Sequence, residues 1–231
     1  MKDIKYLKKP TSEDKKSLEQ LIYNDVECSI DFKDILVEKP WGSEYLLFEN
    51  EQCAIWILNI KYMQNTSMHC HVKKQTSLVC LDGEVMCGTL NKTNLLKNLD
   101  GLFFEKKIFH QTQAINEEGA FVLEIETPVN KFDLARINDT YGRQGKEYEN
   151  KDCYKNVDNL SLSFPNNTVK KFGTTKVEIL KIDDLEQLNT YDENSIISIL
   201  DNDKNIGKIF RLKDISDMKV GNTVLLLSKE I

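Results

Sequence analysis

Only three histidines occur in this chain of 231 residues, and their placement is the feature most able to do chemistry. Two stand as His69-Cys70-His71, and His110 follows the apolar run Leu102-Phe103-Phe104 and the lysines Lys106 and Lys107. Side chains at i and i+2 of a β-strand project from one face. His69 and His71 therefore point together in a strand, with Cys70 on the reverse side. A third imidazole from a neighbouring strand completes a face of three nitrogen donors. Such a set suits one divalent metal (Zn, Mn, Fe, Ni or Co) and leaves coordination positions open to water or substrate, as a catalytic metal requires.

Two carboxylates stand out for the same reason. In Phe121-Val122-Leu123-Glu124-Ile125-Glu126, strand parity puts Glu124 and Glu126 on one face and Phe121, Leu123 and Ile125 on the other. If that face lines a cavity, either carboxylate is a candidate base or a substitute metal ligand. If it faces water, both are surface charges. The sequence leaves the two readings open.

The elements that must position these groups are short strands. From about residue 35 the chain runs through segments rich in Val, Ile, Leu, Phe and Tyr, broken by turn signals such as Asp82-Gly83, Asp100-Gly101 and Val220-Gly221-Asn222. The pattern predicts a mainly β protein, a sandwich or barrel. One short helix is expected over 12–24, opened by a capping box from Thr11 and Asp14, with Leu18, Leu21 and Ile22 on one face. The segment Ser77–Asp82 followed by Gly101 is echoed by Ile196–Asp201 followed by Gly221, which suggests two similar β units joined through the polar stretch 142–170. The expected organisation is a helical extension over 1–34, a barrel with the histidines over 35–152, and a second, ligand-free β unit over 153–231. A single larger sandwich is the alternative. The second unit has no histidine, so packing or dimerisation is its most economical role.

Composition sets the outer limits. Hydrophobic residues make up 40% and charged residues 29%, with ten glycines and four prolines. These values exclude collagen, coiled coil and wholesale disorder. A net charge of −6 argues against a partner held through phosphate neutralisation, so no nucleic acid is expected. No apolar run approaches the roughly 18–20 residues that span a bilayer, and the N-terminus is polar, which makes no membrane and a cytoplasmic location the expectation. The six cysteines form no CxxC pair, and in a reducing compartment they are read as free core residues.

The spacing around the histidines resembles the cupin family, whose first motif runs HxH, three or four residues, Glu, about six residues, Gly, and whose second motif supplies one His. Here HxH is His69 and His71, the Gly is Gly83, and the second-motif His is His110. The usual Glu ligand falls at Gln75 or Thr76, Met63 stands where a Gly is usual, and Glu105 and Lys107 replace the second motif's Pro and Gly. Gln75 is then the candidate fourth ligand, through its amide oxygen. Both ends of the unit, Lys39-Pro40-Trp41-Gly42 and Asp139-Thr140-Tyr141-Gly142-Arg143, look like those of the type II phosphomannose isomerase cupin.

That resemblance implies a jelly-roll barrel, and the specific form considered for the smaller second β unit is a degenerate half of a two-cupin protein. It also implies a bound divalent metal, a phosphorylated or nucleotide-linked sugar as substrate, aldose–ketose isomerisation as the reaction, and a homodimer. Isomerisation needs a base to move a proton between adjacent carbons and an electrophile to stabilise the enediolate. Glu124 or Glu126 would be the base. Substrate phosphate would meet Lys73, Lys74, Lys106, Lys107, Arg136 or Arg143, of which Lys74 and the two arginines are the chosen candidates. Arginine offers the better planar fork, although Arg136 and Arg143 could instead pair with Asp133 or Asp139. Trp41 either stacks on a sugar or plugs one end of the barrel. A non-catalytic sugar-binding or regulatory cupin and a three-His iron dioxygenase are the competing classes.

Overall fold

Short apolar runs bounded by turn signals become strands. In the computed structural model, which describes residues 4–21, 23, 30–143, 148–149, 151–157 and 169–230, the chain begins with β1 (Ile4–Leu7), α1 (Ser12–Glu19), β2 (Ile35–Lys39), β3 (Gly42–Glu49) and β4 (Ala54–Ile60). It continues through β5 (Met68–Cys70), β6 (Gln75–Asp82), β7 (Glu84–Thr89), β8 (Thr93–Lys97), β9 (Gly101–Phe104), β10 (His110–Ala114), β11 (Ala120–Thr127) and β12 (Ala135–Asn138). The last strands are β13 (Tyr154–Asn156), β14 (Val169–Phe172), β15 (Thr175–Lys181), β16 (Ile196–Ile199), β17 (Ile209–Arg211) and β18 (Thr223–Lys229).

Three sheets result among the described residues. An eight-stranded sheet has the order β1-β9-β6-β11-β4-β3-β2-β13, and a five-stranded sheet the order β12-β5-β10-β7-β8. The quartets β9-β6-β11-β4 and β5-β10-β7-β8 within them have the strand order of a double-Greek-key jelly roll. The mainly β barrel is thus the fold that forms. Trp56, Leu58, Leu78, Cys80, Val85, Leu102, Phe104 and Val122 fill the space between the two sheets.

A third sheet, β14-β15-β18-β16-β17, lies on the outer face of the first. Val177, Ile179, Ile196, Ile209, Leu225 and Leu227 meet Leu47, Ile55, Ile57, Val79, Leu81, Leu123 and Ile125 there. This explains why β4, β6 and β11 read as nearly unbroken apolar runs: each is buried on both faces. It also shows the form that the smaller second β unit takes. The second unit is one five-stranded sheet whose opposing layer is supplied by the barrel itself. The sequence echo survives as pairing: β6 is antiparallel to β9, which opens at Gly101, and β16 is antiparallel to β18, which begins just after Gly221.

The element boundaries differ from expectation at three places. The helix ends at Glu19 rather than 24, with the Thr11–Asp14 capping box present as expected. The stretch 1–34 is more than a helix, because β1 pairs in parallel with β9 and Phe32 is buried in the barrel core. Tyr154–Asn156 pair with β2, so the first sheet runs past residue 152; β2 is otherwise an open edge that this strand closes. Within the expected linker 142–170, residues 144–147, 150 and 158–168 lie outside the described residues.

Candidate metal centre and its pocket

Strand register brings the histidines together. On the neighbouring strands β10 and β5, His110 stands opposite His69, and on β12 Arg136 stands on the other side of His69. His71 follows β5 directly. The three rings offer ligand atoms that all lie within 4.8 Å of one another. Cys70 faces the other way, into a cluster with Phe109 and Ala135. It is free, as are Cys53, Cys80, Cys87 and Cys153.

Each ring is aimed by a main-chain carbonyl. His69 Nδ1 lies 2.8 Å from the Ser67 oxygen, His71 Nδ1 lies 2.6 Å from the Asp133 oxygen, and His110 Nδ1 lies 3.0 Å from the Ile108 oxygen. A carbonyl only accepts, so Nδ1 carries the proton in all three and each Nε2 keeps its lone pair. The Nε2 atoms of His71 and His110 are buried without any hydrogen-bond partner. Leaving such an atom unsatisfied costs roughly 1–3 kcal/mol, and a metal ion is the partner that suits three converging lone pairs. Burial, reinforced by neighbouring rings and Lys74, holds His69 and His71 well below the ordinary imidazole range. Burial also brings His110 down to about 4. All three are therefore neutral at pH 7, the form that ligates. Phe104 stacks on His110 with centroids 4.3 Å apart.

Gln75 is not part of this group. Lys74, Thr76 and Leu78 face the barrel interior, whereas the Gln75 amide points outward and donates to the Ile206 carbonyl at 3.1 Å. Parity decides this: the residue four places after the second histidine, Thr76, holds the inward position, and its buried hydroxyl has no partner. Among the described residues the ligand group is the three histidines alone.

Glu124 and Glu126 both face inward, 7% and 0% exposed, and their surroundings separate them. Glu126 forms a buried ion pair with Lys74 and accepts from Trp56 Nε1 at 3.1 Å. Glu124 Oε1 lies 4.0 Å from His71 Nε2, and burial raises its carboxyl above the ordinary range. Lys74 therefore lines the pocket with its ammonium already engaged by Glu126. Lys73, Lys106 and Lys107 are exposed and do not line it. Arg136 and Arg143 do line it. Arg136 Nε donates to Ser67 Oγ at 3.2 Å, and Arg143 pairs with Asp139 at 2.7 Å and with Glu149.

Sequence reasoning missed a buried charge network in the same pocket. Lys39 and Lys131 place their ammonium nitrogens 3.0 and 3.3 Å from the same oxygen of Glu44, and Tyr148 donates its hydroxyl to that carboxylate. Lys39 also pairs with Glu149. Lys131 sits 3.7 Å above the Trp56 ring and Lys39 the same distance above Tyr148, so aromatic faces share in holding both cations. Burial alone would raise Glu44, and the ammonium groups of Lys131 and Lys39 outweigh it, bringing the carboxyl down to about 2. Trp41, Leu58 and Leu134 supply the apolar part of the lining. Trp41 is held there by a turn that only glycine allows. At Gly42, φ is +149° and a Cβ would lie 1.9 Å from the Asn59 oxygen.

No protein-family model matches the chain, and no curated protein matches it. Solved structures similar to it include cupin-superfamily proteins. One is a sugar phosphate isomerase from a cupin superfamily of Silicibacter pomeroyi, 14% identical with a TM-score of 0.36; the match covers 38% of this chain and 59% of that one. A cupin-2 domain protein of Rhodospirillum rubrum is 12% identical with a TM-score of 0.39, over 47% of this chain and 79% of that one. The capsular polysaccharide assembling protein CapF of Staphylococcus aureus is 11% identical with a TM-score of 0.39, over 43% of this chain and 31% of that one. Activity is read from the site itself, since one fold hosts many chemistries.

Proposed function

We propose that this chain is a metal-dependent cupin enzyme that interconverts aldose and ketose forms of a phosphorylated or nucleotide-linked sugar, as a mannose-6-phosphate isomerase does. The observation that carries the reading is the set of three imidazoles with Nδ1 tied to carbonyls and Nε2 converging on a common point, beside a carboxylate that no lysine or arginine pairs among the described residues. His69, His71 and His110 would hold a divalent metal, which when bound would serve as a Lewis acid toward substrate oxygens.

The chain's own groups do the rest. Glu124, raised by burial, takes the proton from one carbon and returns it to the next. Three neutral ligands leave the full charge of the metal in place, and Lys39, Lys131, Arg136 and Arg143 line the same cavity. The metal's charge would favour an anionic substrate, while each of these cations is already paired with Glu44, Glu149 or Asp139. Trp41, Leu58 and Leu134 cover the apolar face of the sugar and exclude water from the reacting carbons. A homodimer in the cytoplasm, working in carbohydrate or surface-polysaccharide metabolism without nucleic acid or membrane, completes the reading. One observation favours a second class: a ligand group without a carboxylate also suits an iron dioxygenase.

Metal content by plasma emission and proton exchange by NMR test this. Protein purified without a histidine tag should carry about one metal per chain, and His69→Ala should lose it. Under nitrogen with Zn or Mn, the loaded protein should exchange the C2 proton of a hexose or pentose phosphate with deuterated water. Bound Fe(II) with oxygen consumption would move the protein to the dioxygenases. Binding of sugar phosphate without exchange would make it a sensor, and a wild type that takes up no metal would end the metal reading.

A further inference from the structure

After His71 the chain turns into β6, and the main-chain amides of that turn converge on one side chain. Asp133 Oδ1 accepts from Val72 N at 2.9 Å, and Oδ2 accepts from Lys73 N and Lys74 N, each at 2.8 Å. The Tyr23 hydroxyl donates to Oδ1 at 2.8 Å. The main-chain carbonyl of the same Asp133 receives His71 Nδ1–H at 2.6 Å. Asp133 is fully buried and stands two residues before Ala135, the first residue of β12, which pairs with Cys70 of β5. One residue thus grips the His71 ring with its carbonyl and, with its carboxylate, the backbone that leaves His71.

We propose that Asp133 is a positioning residue for the metal centre and that Tyr23 helps to hold it; the proposal rests on the metal reading of the three histidines. The ring's direction follows from where the Asp133 carbonyl sits, and that carbonyl is held by the four donors on its own side chain. Loss of one donor loosens the turn at the residue whose Nε2 must converge with the other two. Partners of this kind orient ligands and are worth about 10–100-fold in metal affinity. Tyr23 is the one donor of the four from outside the 72–74 turn. Its position is set by neighbouring Leu18 and Leu21, which pack with Tyr23 against Cys70, Phe109 and Ala135. Metal affinity is thereby coupled to a part of the chain that touches no ligand atom.

Asp133→Asn and Tyr23→Phe, made in the full chain, test the proposal. Asn keeps the shape and the main-chain carbonyl but turns an amide NH2 toward backbone donors, whereas Phe removes one hydroxyl. Affinity for Co(II) is read by competition with a chromogenic chelator, the ligand field from the visible spectrum of the Co(II) form, and stability from urea unfolding of the metal-free protein. Asp133→Asn should weaken Co(II) roughly 10–100-fold and shift its visible bands, and Tyr23→Phe should do the same to a smaller extent. Lowered urea midpoints with unchanged Co(II) affinity and spectrum would make both residues merely structural and overturn the proposal. If Asp133→Asn does not fold, Tyr23→Phe decides by the same two readouts. A wild type that binds no Co(II) overturns the metal reading itself, which the wild-type titration shows separately.

Discussion

Two glutamates on one strand, two residues apart, illustrate how much of this site is decided at single residues. Glu126 has a buried ammonium and an indole N–H as partners, while Glu124 faces His71 across 4.0 Å. Opposite consequences follow from the same substitution. Glu124→Gln should keep the fold and the metal but lower turnover by at least about 100-fold, the usual worth of a general base. Glu126→Gln should instead destabilise the protein by roughly 3–5 kcal/mol, because Lys74 is left charged and unpaired in the interior. Steady-state kinetics on metal-loaded protein and urea unfolding separate the two. Wild-type turnover in Glu124→Gln would remove it as the base.

At the scale of elements, the register β10-β5-β12 puts His110, His69 and Arg136 side by side, and Lys73, Lys106 and Lys107 stay outside while Lys74 turns in. The polar network of the same pocket is assembled differently, from Lys39 of β2, Glu44 of β3, Lys131 before β12, and Tyr148 and Glu149. Its pH dependence follows from Glu44. Held near 2 against an ordinary 4.5, this carboxylate contributes stability that is fully present above 4.5 and is lost as pH falls toward 2. The urea midpoint of the wild type should therefore fall across that window more steeply than that of Glu44→Gln. Equal slopes would mean that Glu44 is not held by Lys39 and Lys131. The histidine face was legible in the sequence because HxH has a parity, and the barrel because short apolar runs are separated by turn signals. Gln75 was misread because one residue of offset moves a side chain to the other face of the strand. Lys39, Glu44, Lys131 and Tyr148 were not legible, because no spacing rule links residues so far apart in the chain and a buried lysine looks like a solvated one. Strand β1 was missed since a four-residue strand pairing in parallel across nearly a hundred residues leaves no local periodicity.

The described residues build three layers, and the middle one belongs to both neighbours. On β11, Leu123 and Ile125 face the third sheet while Glu124 between them faces the cavity. The third sheet therefore supports the strand that carries the candidate base without contributing a ligand, and the two functions should separate by mutation. Leu225→Ala in the third sheet removes a fully buried side chain that packs in the cluster with these residues. It should cost about 2–5 kcal/mol, while Co(II) affinity stays at the wild-type value because His69, His71 and His110 lie on the far side of the barrel core. Urea unfolding followed by tryptophan fluorescence, which reports on Trp41 and Trp56 inside the barrel, should shift in a single transition together with far-ultraviolet circular dichroism, since one apolar interface joins the layers. A barrel transition that stays at the wild-type midpoint while part of the dichroism is lost earlier would show that the third sheet folds by itself. In that case β4, β6 and β11 would need another reason for being apolar on both faces, and a sheet of this length with one face bare would be expected to associate with a second copy.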